Sequence, residues 1–129
     1  MNVPDGLLYT QDHEWLRVEG DEAVVGITEY AATELGDIVF VEMPAVGARF
    51  EPAQSFGVIE SVKTASDLYS PAAGEIIAVN TALHDKPELV NNDPYGEGWM
   101  IRVKLATGAR GPEDGLMDAA AYRALIAAA

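Results

Sequence analysis

Cysteine is missing altogether from the 129 residues. That absence removes disulfide staples, thiolate metal sites and a thiol nucleophile together. Histidine is nearly missing, with only His13 and His84 present, in separate segments. A lone His13 beside Trp15 reads as a structural or surface residue rather than a base. No Gly-x-Ser-x-Gly elbow, His-Glu-x-x-His pair or phosphate-binding loop occurs, so the usual hydrolase, metalloprotease and nucleotide motifs are excluded. The glycines of Tyr95-Gly96-Glu97-Gly98-Trp99 read as a turn. Basic residues are scarce, 8 against 21 acidic ones, for a net charge of −13. Such a field repels phosphate backbones and anionic lipid, which argues against nucleic-acid and membrane partners. It keeps a small protein soluble and steers it towards basic patches on other proteins. A solvated acidic surface also favours a monomer. Long apolar runs are absent: stretches such as Ile76-Ile77-Ala78-Val79 are far too short to span a bilayer. The first residues, Met1-Asn2-Val3-Pro4-Asp5-Gly6, carry neither a secretory signal nor an Arg-rich presequence.

What is present suits one packed domain over residues 1–129. The hydrophobic fraction is 49% and the mean hydropathy +0.04, so a core is expected rather than disorder. His13-Glu14-Trp15-Leu16-Arg17-Val18 and Ala23-Val24-Val25-Gly26-Ile27-Thr28 flank a turn-rich break and predict a hairpin. Thr28 suits an N-cap with Glu29 in the first turn, and Gly36 suits the stop of a short helix. Ile38-Val39-Phe40-Val41-Glu42-Met43 predicts a buried strand ended by Pro44. Phe56 to Val62 in one run, Leu68-Tyr69 and Gly74 to Val79 in others, predict further strands. His84, Asp85, Lys86 and Pro87 read as a loop. In Trp99 to Leu105 the alternation sets Ile101, Val103 and Leu105 on one face, Arg102 and Lys104 on the other. Many short strands point to a mainly β sandwich or flattened barrel. After Gly111-Pro112 the Ala-rich stretch at about 118–128 predicts a C-terminal helix with Tyr122, Leu125 and Ile126 as its apolar stripe.

Lysine is the informative rarity: Lys63, Lys86 and Lys104 are the whole supply. Lys104 alternates outwards on a strand and Lys86 lies in a Pro-bounded loop. Lys63 alone falls at the break between two β-prone runs, where a hairpin tip holds an amine away from the core. A modifying enzyme can acylate an amine so placed, turning it into a swinging tether. Taken on the residues alone, an ordinary solvated turn lysine is the better explanation of the position.

The segment Gly57-Val58-Ile59-Glu60-Ser61-Val62-Lys63-Thr64-Ala65-Ser66-Asp67-Leu68-Tyr69-Ser70-Pro71 resembles the lipoylation segment of the glycine cleavage H-proteins. His13-Glu14-Trp15, Gly26-Ile27-Thr28, Leu35-Gly36-Asp37-Ile38-Val39-Phe40-Val41 and Asn92-Asp93-Pro94-Tyr95-Gly96-Glu97-Gly98-Trp99 resemble that family in the same order. The likeness spans roughly residues 5–127. It implies a lipoyl/biotinyl-type flattened barrel-sandwich with a short internal helix and a C-terminal helix. It also implies covalent lipoate in amide linkage to Lys63, with Glu60, Ser61, Val62, Thr64, Ala65 and Ser66 as the motif read by a lipoate-attaching enzyme. The chain would then be a non-catalytic carrier. It would take an aminomethyl group from glycine decarboxylase to the aminomethyltransferase and be re-oxidised by dihydrolipoyl dehydrogenase. Glu14 and Asp67 become candidates for sheltering the loaded arm, because an amine-bearing group is favoured by acceptors and by exclusion of water. The implied location is the bacterial cytoplasm, or the mitochondrial matrix for a processed chain. A lipoyl domain of a 2-oxo acid dehydrogenase leaves the blocks around Trp15 and Tyr95 unexplained, and a biotinyl carrier would place methionines where Val62 and Thr64 stand. An H-like relay that supplies lipoate to other acceptors shares the same motifs. An unmodified acidic binding module is the reading from a different class.

Overall fold

Period-two patterning with turn formers between the runs produces a two-sheet structure. The computed structural model describes residues 1–106 and 115–128. In chain order the elements are β1 (Leu8–Tyr9), β2 (Glu14–Glu19), β3 (Glu22–Ile27), α1 (Glu29–Leu35), β4 (Ile38–Glu42) and β5 (Arg49–Phe50). Then come β6 (Ser55–Ser61), β7 (Ala65–Tyr69), β8 (Gly74–Val79), α2 (Ala82–Asp85), α3 (Leu89–Asn92), β9 (Ile101–Leu105) and α4 (Ala119–Ala127). One sheet runs β1-β2-β3-β9-β8-β5 and the other β4-β6-β7, every pairing antiparallel. Neither closes on itself, so the flattened barrel-sandwich takes the form of two open sheets with flanking helices.

The main core lies between the sheets and contains Leu16, Val25, Ile59, Leu68, Ile76 and Ile101. As the alternation requires, Ile101, Val103 and Leu105 are buried while Lys104 is exposed. A second cluster joins Val3, Tyr9, Trp15, Val24, Ala119 and Tyr122, and docks α4 on the outside of β1 and β2. Tyr9 and Tyr122 stack there with ring centroids 4.7 Å apart. The indole of Trp15 donates from Nε1 to the Pro94 carbonyl at 3.0 Å. Its flat face needs Gly26 opposite it in register, because a Cβ at Gly26 would lie 2.8 Å from three indole atoms.

The capping chemistry is as expected. Thr28 accepts from the Ala31 amide at 3.2 Å, and Gly36 ends α1 with φ of 86°. Three expectations are corrected. The strand at β4 is buried only at Ile38 and Val41, with Val39 and Phe40 about half exposed (52% and 48%). It is an edge strand with a bulge between Ile38 and Phe40, so two successive apolar residues turn outwards. The loop read from His84 to Pro87 begins inside a single-turn helix, α2, and leads into a second, α3, each too short for a helical period to register. They hold because Leu83 and Val90 are fully buried and Asn80 donates from Nδ2 to the Glu97 and Trp99 carbonyls, both at 2.7 Å. On α4, which starts at its Asp118 cap, Tyr122 is buried and Ile126 partly so, but Leu125 is 37% exposed, so the stripe is narrower than predicted. The Gly111-Pro112 break lies outside the described residues. No helix among the described residues is long and apolar enough to cross a membrane.

Candidate functional site: a lysine hairpin beside an acidic groove

The turn between β6 and β7 is written into four residues. The Ser61 amide donates to the Thr64 carbonyl at 2.8 Å, closing the turn. The Ser61 hydroxyl oxygen accepts from the amides of both Lys63 and Thr64 at 3.1 Å, a serine turn that fixes the two tip residues. Below the tip, Glu60 pairs with Ala65 and Ile59 with Ser66. Lys63 is exposed at the apex beside Val62, which is 68% exposed. The other two lysines are placed differently: Lys104 pairs with Asp21 at 3.1 Å, and Lys86 ends α2.

On one side of the hairpin runs a groove of about 300 Å³. Asp12, His13 and Glu14 from the entry to β2, Tyr30 and Glu34 from α1, and Ser66 and Asp67 from β7 line it over the buried Ile27, Ile59 and Leu68. The structure therefore brings both sequence-nominated acids, Glu14 and Asp67, to one groove. They differ in kind. Asp67 is exposed and accepts from the Ser55 hydroxyl at 3.3 Å. Glu14 is only 3% exposed. Its carboxyl accepts from the Thr10 hydroxyl at 2.7 Å and from the Tyr69 amide at 3.3 Å. Burial outweighs both hydrogen bonds and pushes its pKa up to about 8. Among the described residues, no Lys or Arg lines the groove.

His13 also enters the groove wall, held in a left-handed conformation at φ of 69°. Its Nδ1 lies 2.8 Å from the Tyr122 hydroxyl, which lies 2.7 Å from the Thr28 hydroxyl. Burial depresses the imidazole pKa, against the opposing pull of Asp12 and Glu34, so the ring is neutral near pH 7. The Tyr122 hydroxyl thus links the His13 Nδ1 to the Thr28 hydroxyl in one hydrogen-bonded chain. The C-terminal helix thus braces the groove wall. From the sequence, His13 reads as a structural or surface residue and Tyr122 as part of an apolar stripe. The contact separation of 109 residues leaves no local signal that joins them.

The family model for glycine cleavage H-protein matches residues 7–129. A glycine cleavage system H protein of Bacteroides thetaiotaomicron is 59% identical over 126 residues, covering 98% of each chain. One from Nitratidesulfovibrio vulgaris is 57% identical over 127 residues, covering 98% of this chain and 97% of that one. Among solved structures, a glycine cleavage system H protein from Mycobacterium marinum superposes with a TM-score of 0.84 at 40% identity, over 93% of this chain and 95% of the other.

Proposed function

The chain belongs to the glycine cleavage H-protein family, and from that premise we propose that Lys63 is the residue on which it carries covalent lipoate. It is a lipoyl carrier of the glycine cleavage system and not an enzyme. The observation that supports Lys63 is its position, exposed at the apex of a hydrogen-bonded hairpin inside the matched region.

The residues present fit a lipoyl arm. Ser66 to Leu68, which line the groove, lie three to five residues along the strand from Lys63, about 10–17 Å at 3.3 Å per residue. A lysine stem lengthened by a medium-chain acyl group reaches that far. The buried Glu14 carboxyl, with no Lys or Arg among the described residues of the lining, supports a role in receiving an amine. When bound, lipoate supplies sulfur that takes up and gives back the aminomethyl unit of glycine. The protein's own part is to tether, orient and shelter. Ser61 holds the tip, and the tether raises the effective concentration of the carried unit at each partner. Ile27, Ile59 and Leu68 keep water from the groove floor. Asp67 attracts the amine, and the buried Glu14 carboxyl, which holds its proton at neutral pH, offers it a hydrogen-bond acceptor.

The partner set of glycine decarboxylase, aminomethyltransferase, dihydrolipoyl dehydrogenase and a lipoate-attaching enzyme belongs to this reading. So do one carrier domain over the chain, a monomeric state and a bacterial cytoplasmic location, which the bacterial relatives support. A relay that passes lipoate to other acceptors gains nothing from the names of the relatives. Intact mass of the protein from its own host, followed by peptide mapping, tests the reading. A lipoyl-amide increment confined to Lys63 and lost in Lys63→Arg is expected. An unmodified native chain that a lipoate ligase also leaves unmodified sinks it.

A further inference from the structure

The hairpin tip is tied to a strip of chain that precedes β4. The Val62 amide donates to the Asp37 carbonyl at 3.0 Å. The aliphatic stem of Lys63 lies over Gly36, so closely that a Cβ on Gly36 would come within 2.9 Å of Lys63 Cε. Gly36 adopts φ of 86° and ψ of −158°, a region open to glycine and strained for L-residues. The strip therefore offers the lysine a bare backbone seat on one side and an anchor for the turn on the other.

Only Ile38 of this strip is buried, and a side chain from a remote element holds the rest in place. Asn91 on α3 donates from Nδ2 to the Gly36 carbonyl at 2.9 Å and accepts at Oδ1 from the Ile38 amide, also at 2.9 Å. One carboxamide thus clamps both ends of the Gly36–Ile38 strip, satisfying a carbonyl at the end of α1 and the first amide of β4. Its neighbour Val90 is fully buried, so the clamp is mounted on the core and not on a mobile surface. Asparagine alone among the amino acids of this length offers both a donor and an acceptor in that geometry. Aspartate keeps the acceptor only.

We propose that Asn91 is a positioning residue for Lys63, fixing the strip that seats the lysine stem and anchors the hairpin tip. This rests on the reading of Lys63 as the acylated residue. Asn91 touches neither the amine nor the groove. It acts by restricting the directions from which the amine is presented, so its loss is felt when a partner engages the hairpin and not in the acyl transfer that follows.

The test uses the full unmodified chain, a lipoate ligase with lipoate and ATP, and amide hydrogen exchange read by NMR. Asn91→Ala is compared with Ile126→Ala, a substitution on α4 that serves as the control for general destabilisation. We expect Asn91→Ala to speed exchange at Ile38 and Val62 by about tenfold relative to amides of β3, the scale of one lost hydrogen bond. The KM for the chain in acylation should rise about fivefold or more with kcat much less changed, and Ile126→Ala should do neither. Asn91→Asp, which retains the bond from Ile38 but loses the one to Gly36, should fall between. Exchange that accelerates equally across the molecule, or acylation at wild-type KM, overturns the proposal. A wild-type chain that resists acylation at Lys63 removes the premise instead, and peptide mapping of that chain tells the two failures apart.

Discussion

Burial makes the Glu14 carboxyl hard to ionise, and the consequence is a stability that depends on pH. In the unfolded chain the group loses its proton near pH 4.5, whereas in the fold it keeps it up to about pH 8. A folded pKa raised above the unfolded one means that the native state binds more protons across that window. Stability should therefore fall as pH rises from about 4.5 to 8 and level off above, by at most about 5 kcal/mol at roughly 1.4 kcal/mol per unit. Urea unfolding of Glu14→Gln across that range should give a flatter profile than the wild type. Parallel profiles would mean that Glu14 ionises normally. Ser61 makes the second prediction at this scale. Ser61→Ala removes the acceptor for two tip amides that are open to water, so it should cost only about 0.5–1 kcal/mol. It should nevertheless speed exchange of the Lys63 and Thr64 amides selectively, and unaltered exchange there would show that the serine does not hold the turn.

Helix α4 carries more than its short apolar stripe requires. Its Tyr122 hydroxyl sits between His13 and Thr28, and burial raises its pKa to about 12, so it remains a neutral donor throughout the physiological range. Tyr122→Phe preserves the stacking on Tyr9 but leaves the His13 Nδ1 and the Thr28 hydroxyl to find other partners. The expected cost is about 1–3 kcal/mol in a denaturant titration, with the His13 pKa altered in an NMR titration. An unchanged His13 titration would show that the helix packs on the groove wall without bracing it. The edge strand β4 is different: its exposed Phe40 pairs in register with Glu60 and Ile38 with Ser61, the residues that lead into the turn.

Across the whole molecule, 21 acidic side chains against 8 basic ones make self-repulsion the dominant long-range electrostatic term. Ion pairs such as Arg102 with Glu19 and Glu22, at 3.0 and 2.9 Å, relieve it only locally on the strand surface. Added salt shortens the Debye length from about 30 Å at 0.01 M to about 8 Å at 0.15 M and screens the repulsion. The midpoint of thermal unfolding should therefore rise between these two concentrations of sodium chloride. A falling midpoint would assign the net electrostatic effect to the ion pairs instead.

Sequence alone determined the elements whose information is local. The Thr28 cap, the Gly36 stop, the alternation in β9 and the break at Lys63 each depend on residues within a few positions, where backbone dihedrals and side-chain period are set. It also singled out Lys63, because lysine is rare here and the surrounding segment resembles a known motif. Other features were decided only when distant segments met. Glu14 and Asp67 share a groove because the end of β7 comes against the start of β2, where the Tyr69 amide donates to Glu14, and the raised pKa of Glu14 exists only once the core has removed its water. The outward turn of Val39 and Phe40 follows from β4 lying at a sheet edge with a bulge. Single-turn α2 and α3 have no helical period to read, and persist through the burial of Leu83 and Val90. Asn91 reaches Gly36 across 55 residues of chain, and a hydrogen bond of that span leaves no trace in spacing or composition. Local chemistry wrote the hairpin and its lysine. The tertiary structure alone, by desolvation and long-range contact, decided what surrounds them.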